Sequence, residues 1–274
     1  MSILKSFARD WLPPAIVRAL QRRRGDGIRF EGDYLTWEDA SAQCTGYDAE
    51  PILAKVLEAT LKVKRGEAVF ERDSVVFDEV EYSWPLLTGL MWASARNSGR
   101  LNVLDFGGAL GSSYFQNRDF LQRLTDFHWN VVEQEHYVIK GQENIQNDHL
   151  RFYRSIENCL IDNQPNVVLL SSVLQYLESP FDIINKLTLT GATCLLIDRT
   201  PFSDGDTDKI LVQKVPSSIY RASYPMRVFS LQKFRNMIET DWRLVASNLS
   251  PEAYVQTSDK FEFSFQGMLL EARR

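Results

Sequence analysis

The chain has 274 residues, 44% of them hydrophobic and 24% charged, which excludes wholesale disorder and supplies apolar material for one large domain or a domain with an appendage. A formal net charge of −5 argues against a general nucleic-acid binder, whose affinity rests on neutralising phosphates. No apolar stretch reaches the roughly 18 residues that span a bilayer, so the expected location is the cytoplasm.

Two short amphipathic helices are expected first. Ile3, Leu4, Phe7 and Trp11 share one face, Ile16, Val17 and Leu20 another, and Pro13-Pro14 separates them. Lys5, Arg9, Arg18, Arg22, Arg23 and Arg24 outnumber the single Asp10. Residues 1–24 therefore suit either a solvated face docked on the protein or peripheral contact with the inner face of an anionic membrane. Residues 25–50 carry turn signals and are expected to form a loop. Pro51 opens a helix with Ile52, Leu53, Val56, Leu57 and Leu61 on one face. A second helix carries Leu86, Leu87, Leu90, Met91 and Ala95 and ends at Asn97-Ser98-Gly99.

From Arg100 the texture changes to alternating strand and helix signals, the pattern of a parallel sheet. The expected strands are 101–106, 129–133, 150–153, 166–171 and 192–198, closed by an antiparallel pair at 243–246 and 261–270. Seven strands with interleaved helices predict a doubly wound α/β, Rossmann-like domain over 99–274, with 1–98 as an N-terminal helical segment and lid. Cys44, Cys159 and Cys194 are far apart and in no metal-ligand spacing, as reduced thiols would be.

Val103-Leu104-Asp105-Phe106-Gly107-Gly108-Ala109-Leu110-Gly111 places glycines between a buried strand and a helix start. Gly107 and Gly108 allow a ligand close to the main chain, and Gly111 lets the helix pack tightly. Glu133 ends the second strand, where a carboxylate can accept hydrogen bonds from ribose hydroxyls. Asp105 would repel a pyrophosphate but suits a cationic amine and sulfonium. The charge argument favours S-adenosylmethionine over NAD.

These residues resemble the class I methyltransferases. More narrowly, Phe70-Glu71-Arg72-Asp73-Ser74, Leu104-Asp105-Phe106-Gly107-Gly108, Trp129-Asn130-Val131-Val132-Glu133-Gln134 and Ile197-Asp198-Arg199-Thr200-Pro201-Phe202 resemble a family of bacterial methyltransferase-like proteins associated with surface-polysaccharide gene clusters. The resemblance runs from about Trp37 to the C-terminus; Ala109 departs from it, standing where a middle glycine is usual. It implies a cofactor site of Asp105, Phe106, Gly107, Gly108, Gly111, Glu133 and Gln134, with Ser155 near the adenine and Ser171, Ser172 and Val173 beside the cofactor. Gln175 and Tyr176 would follow above it, Tyr176 on the acceptor side. Helix capping by Ser171-Ser172 and a half-buried aromatic at Tyr176 are the plainer alternatives.

Asp198 ends the fifth strand at the face where open sheets bind ligands, which makes it a candidate general base for a hydroxyl acceptor. Arg199 is a candidate clamp for an anionic acceptor, and both could instead hold a loop. His136 is a further titratable candidate. Asp204, Asp206 and Asp208 resemble a cation loop, but Val215 stands where a terminal Glu is required, so no metal is expected. Tyr220, Arg221, Tyr224 and Arg227 could meet a sugar ring and anionic groups, or simply pack a crossover loop. The expected partner is a small-molecule or glycan acceptor. A nicotinamide or nucleotide-sugar enzyme on a similar fold, and a non-catalytic binding module, remain rivals.

Overall fold

The computed structural model describes residues 27–45, 49–72, 74–216 and 222–273. The basic segment 1–24, Asp73, Tyr220 and Arg221 lie outside the described residues.

The core is five parallel strands: β4 (Arg100–Phe106), β5 (Asp126–Val132), β6 (Leu150–Tyr153), β7 (Val167–Ser171) and β8 (Cys194–Ser203). They lie in the order β6-β5-β4-β7-β8. The chain order of these neighbours reverses between β4 and β7, which makes that crevice the switch point where open sheets bind ligands. β12 (Glu262–Ala272) pairs antiparallel with β8, and β11 (Trp242–Gln256) pairs antiparallel with β12. The doubly wound, Rossmann-like sheet with antiparallel final strands is therefore as the residue pattern predicts.

Burial explains why these strands were legible. Val167, Val168, Leu169 and Leu170 have no exposed surface, as strands covered on both faces require. On one face Leu101, Val103, Trp129, Leu169 and Leu196 meet α2 (Ala49–Lys64), α3 (Trp84–Arg96) and α4 (Ser112–Leu121). On the other, Leu104, Val168, Leu195 and Ile197 meet α6 (Ile156–Asp162), α7 (Pro180–Thr188) and α8 (Leu231–Ile238). The short helices α1 (Trp37–Ala42) and α5 (Glu135–Lys140) complete the set of described α-helices.

Three further strands extend the sheet. β1 (Arg29–Tyr34), β9 (Lys209–Val215) and β10 (Ala222–Ser230) form an antiparallel ribbon that joins the end of β8 through Phe229 and Ser230. A separate hairpin, β2 (Phe70–Arg72) with β3 (Val75–Phe77), precedes α3. Residues 29–34 and 222–227, read as loop, are thus strands; β1 is a polar edge strand lacking an apolar run, and Pro225 interrupts the signal of β10.

β8 changes neighbour part-way. Its first half pairs with β7 up to Asp198, and its last residues pair with β10. Opposite the changeover the β12 register slips, from Ile197↔Met268 to Thr200↔Gln266. Asp198 and Arg199 thus form a β-bulge facing Gly267, with Arg199 in the left-handed region at φ 48°. A bulge bends the strand and re-aims side chains that would otherwise alternate. No described helix is long and apolar enough to cross a membrane.

Candidate active site

The glycine turn is shaped by close contacts. Gly107 and Gly111 take φ of 74° and 88°, and Ala109 between them takes 49°. A Cβ on Gly107 would lie 2.4 Å from Val173 Cγ2, and one on Gly108 2.4 Å from Asp105 Oδ2. Gly111 precedes α4 as its left-handed cap, and its N–H donates to Gly108 O at 2.9 Å. The turn thus packs its main chain between the Val173 side chain at Gly107 and the Asp105 carboxylate at Gly108.

Asp105 is 1% exposed. Trp129 Nε1 donates to its Oδ2 at 2.9 Å, whereas the buried Oδ1 has no hydrogen-bond partner. Burial pushes this carboxyl from 3.8 up to about 7; the Trp129 N–H opposes the rise, the nearby Glu133 carboxylate adds to it, and Arg199 opposes it. An unpartnered buried carboxylate oxygen is costly unless a donor or cation meets it.

Glu133 follows β5 half-buried. Its carboxylate accepts from the N–H groups of Gln134, at 2.6 Å, and Ala109, so it ties the second strand to the glycine turn. Burial raises its pKa while those two N–H groups lower it. Two carboxylates therefore flank the turn.

Ser171 joins the strands at the bulge. Its Oγ donates to Asp198 Oδ2 at 2.9 Å and accepts from Arg199 Nη2 at 3.1 Å. In a regular strand, neighbours such as Asp198 and Arg199 point to opposite faces; the bulge turns both to one hydroxyl. Asp198 is 5% exposed, with Arg199 Nε 3.3 Å from Oδ2 and Ser83 Oγ 3.4 Å from Oδ1. Ser172 (φ 55°) donates from its backbone to Asp198 O and accepts from Gln175 Nε2 at 3.0 Å. Neither serine caps a helix.

Phe106 and Val173 pack partly buried against the second core cluster, Val173 also closing over Gly107. Ser155 caps α6 by accepting from Asn158 N. Gln134 is exposed at the start of α5. His136, on that helix, is half-buried with Nε2 lacking a hydrogen-bond partner.

The ribbon brings Tyr176 and Tyr224 together, with ring centroids 5.2 Å apart and planes at 90°. Gln213 joins them, accepting from Tyr176 Oη at 3.1 Å and donating to Tyr224 Oη at 3.2 Å. Arg227 stands apart: it donates to Glu178 O at 3.1 Å, lies 3.7 Å from Asp208 and covers Trp37. Asp208 also accepts from Ser230 N, so it braces β10 while Asp204 and Asp206 are exposed.

The residue pattern did not reveal Glu71 or the cavity beside Asp198. Glu71, 1% exposed on β2, accepts from Ser112 Oγ at the start of α4 and from Thr60. The cavity, of about 300 Å³, lies between α3 and the β8–β12–β11 edge and is lined by Trp84, Pro85, Asp198, Asn248 and Met268 among others. An acid inside an apolar strand was the available signal for it.

No family model matches the chain, and no curated protein matches it in sequence. Among solved structures, it is similar to the N-terminal domain of EvdMO1, studied with S-adenosylhomocysteine and D-fucose (13% identity, TM-score 0.46, covering 83% of this chain and 98% of that one). It is also similar to the Burkholderia thailandensis 1,6-didemethyltoxoflavin-N1-methyltransferase, with bound 1,6-didemethyltoxoflavin and S-adenosylhomocysteine (13%, TM-score 0.42, 90% and 100% covered). An S-adenosylmethionine-dependent methyltransferase from Clostridium acetobutylicum aligns at 11% identity and a TM-score of 0.44, covering 68% of this chain and 89% of that one.

Proposed function

We propose that the protein is an S-adenosylmethionine-dependent methyltransferase acting on a hydroxyl of a small polar acceptor, in keeping with the resemblance to proteins of surface-polysaccharide gene clusters. The observation that carries this reading is the buried, unpartnered Asp105 Oδ1 beneath the glycine turn. It fits a cationic amine or sulfonium and opposes the pyrophosphate of a dinucleotide.

Asp105 and the Gly107–Gly111 turn would hold the methionine part, and Glu133 the ribose. Ser171, Ser172 and Val173 would lie alongside. When bound, the cofactor supplies an electrophilic methyl group on a positively charged sulfur. The chain's contribution is then largely positioning, together with exclusion of water by Val173 and the strands around the turn.

Asp198 is the residue for proton removal. Asp198 Oδ1, whose protein partner is the long contact to Ser83, would take the proton of the acceptor hydroxyl as that oxygen is methylated. Arg199 and Ser171 hold the other oxygen and so fix the carboxylate's orientation. Thermal denaturation with added ligand tests the assignment: S-adenosylhomocysteine should raise Tm and NAD should not. Stabilisation by NAD alone would replace methyl transfer with nicotinamide chemistry.

A further inference from the structure

Gly267 sits opposite the Asp198–Arg199 bulge on β12 and opposite Asn248 on β11. A Cβ there would lie 2.6 Å from Asn248 Oδ1 and 3.1 Å from Ile197 O. The missing side chain lets the Asn248 amide lie across β12 toward the bulge. That amide makes only a 3.4 Å hydrogen bond, to Leu249 O, among the described residues. An amide with spare donors and acceptors thus lines the same cavity as a carboxylate that is 5% exposed.

The rest of the cavity is of opposite character. Pro85 and Met268 give apolar walls, and Trp84, 59% exposed, stands at the start of α3. Its indole is held by Tyr82, with centroids 5.0 Å apart, and by Phe120 at 6.2 Å. A volume of about 300 Å³ is at the lower end for small-molecule pockets, enough for one ring rather than a chain. Ser171 bonds to Asp198 from β7, which lies between β8 and the β4 strand that leads into the glycine turn, so one hydroxyl separates the cavity from the strand of Asp105.

We propose that this cavity is the acceptor subsite and that it takes a single hydroxyl-bearing ring of monosaccharide size. Hydroxyls on one edge meet Asp198 and Asn248; the carbon–hydrogen face lies on Pro85, Met268 and the edge of Trp84. A planar phenolic ring offers hydroxyls in its ring plane and a π face to the walls, whereas a pyranose offers several hydroxyls round its edge and a carbon–hydrogen face. The proposal rests on the methyl-transfer reading and moves the acceptor away from the Tyr176–Tyr224 pair, whose hydroxyls are engaged with Gln213.

The test is saturation-transfer NMR on the full chain with the methyl glycosides of a hexose, a 6-deoxyhexose, an N-acetylhexosamine and a hexuronate, with catechol as the phenolic control. Asn248→Ala removes the amide, and Ser247→Phe fills the cavity from its exposed rim. At least one glycoside should bind the wild type, and both variants should weaken it about tenfold or more. S-Adenosylhomocysteine affinity, measured in parallel, should be unchanged in both variants. Glycoside binding indifferent to both substitutions, binding of catechol alone, or no binding of any probe would overturn the proposal. Loss of glycoside binding in both variants of a protein that never binds S-adenosylhomocysteine would keep the sugar site and sink the methyltransferase reading.

Discussion

The Asp105 carboxylate occupies the space that a side chain at position 108 would need: a Cβ on Gly108 falls 2.4 Å from Oδ2 and 2.5 Å from Cγ. The acid is fully buried and fixed by Trp129, so it cannot swing aside as a surface chain would.

Gly108→Ala should therefore destabilise the fold by about 1–3 kcal/mol, the usual cost of overpacking a buried site, and should weaken cofactor binding. Urea unfolding of the two proteins measures the first effect. An unchanged midpoint would show that the turn can move away from Asp105.

Asp105 also makes stability depend on pH. Its native pKa is raised from 3.8 to about 7, so between those values the folded protein holds a proton that the unfolded chain releases. Without ligand, stability should fall as pH rises from about 4 to 7, at a limiting slope of about 1.4 kcal/mol per pH unit for this one group. Asp105→Asn should remove that component of the slope. A variant with the wild-type pH dependence would assign it to other groups.

The same protonation links to the ligand. A bound cation favours the ionised carboxyl, so S-adenosylmethionine binding near pH 6 should release a proton from Asp105. Calorimetry in buffers of different ionisation enthalpy reads that proton directly. Equal heats in all buffers would place the cation elsewhere.

Asp198→Asn keeps the shape at the bulge and removes the proton acceptor. With an accepted sugar in hand, turnover should fall by about 10²-fold or more, while S-adenosylhomocysteine affinity stays the same. Weakened cofactor binding with turnover otherwise intact would make Asp198 part of the cofactor shell.

Glu71 ties the β2–β3 hairpin to the start of α4 through Ser112. Glu71→Ala should loosen that hairpin, raising amide hydrogen exchange across 70–77 while the parallel strands stay protected. Unchanged exchange there would show that Phe70 stacked on Phe77 suffices to hold it.

The parallel core was legible because strands buried on both faces read as continuous apolar runs, as in Val167-Val168-Leu169-Leu170. The glycine turn was legible because few residues tolerate the backbone that Gly107 and Gly111 adopt. The ribbon was not: β1 borrows its stability from pairing with β9, almost two hundred positions away, and leaves no local periodicity. The same holds for the bulge at Asp198, which exists only in the register with Gly267, and for the Tyr176–Gln213–Tyr224 chain of hydrogen bonds. Arg227 shows the converse. Its residue type suits an anion, but tertiary contacts with Glu178 and Asp208 occupy it.

The proposed function requires that Asp105 and Glu133 hold S-adenosylmethionine. Calorimetric titration of wild type and Glu133→Ala with S-adenosylmethionine and S-adenosylhomocysteine, with NAD as control, tests it most directly. The first two should bind the wild type saturably, NAD should not bind, and affinity should fall about tenfold or more in the variant by loss of a charge-assisted hydrogen bond. No binding to a well-folded wild type, or equal affinity in the variant, would contradict it.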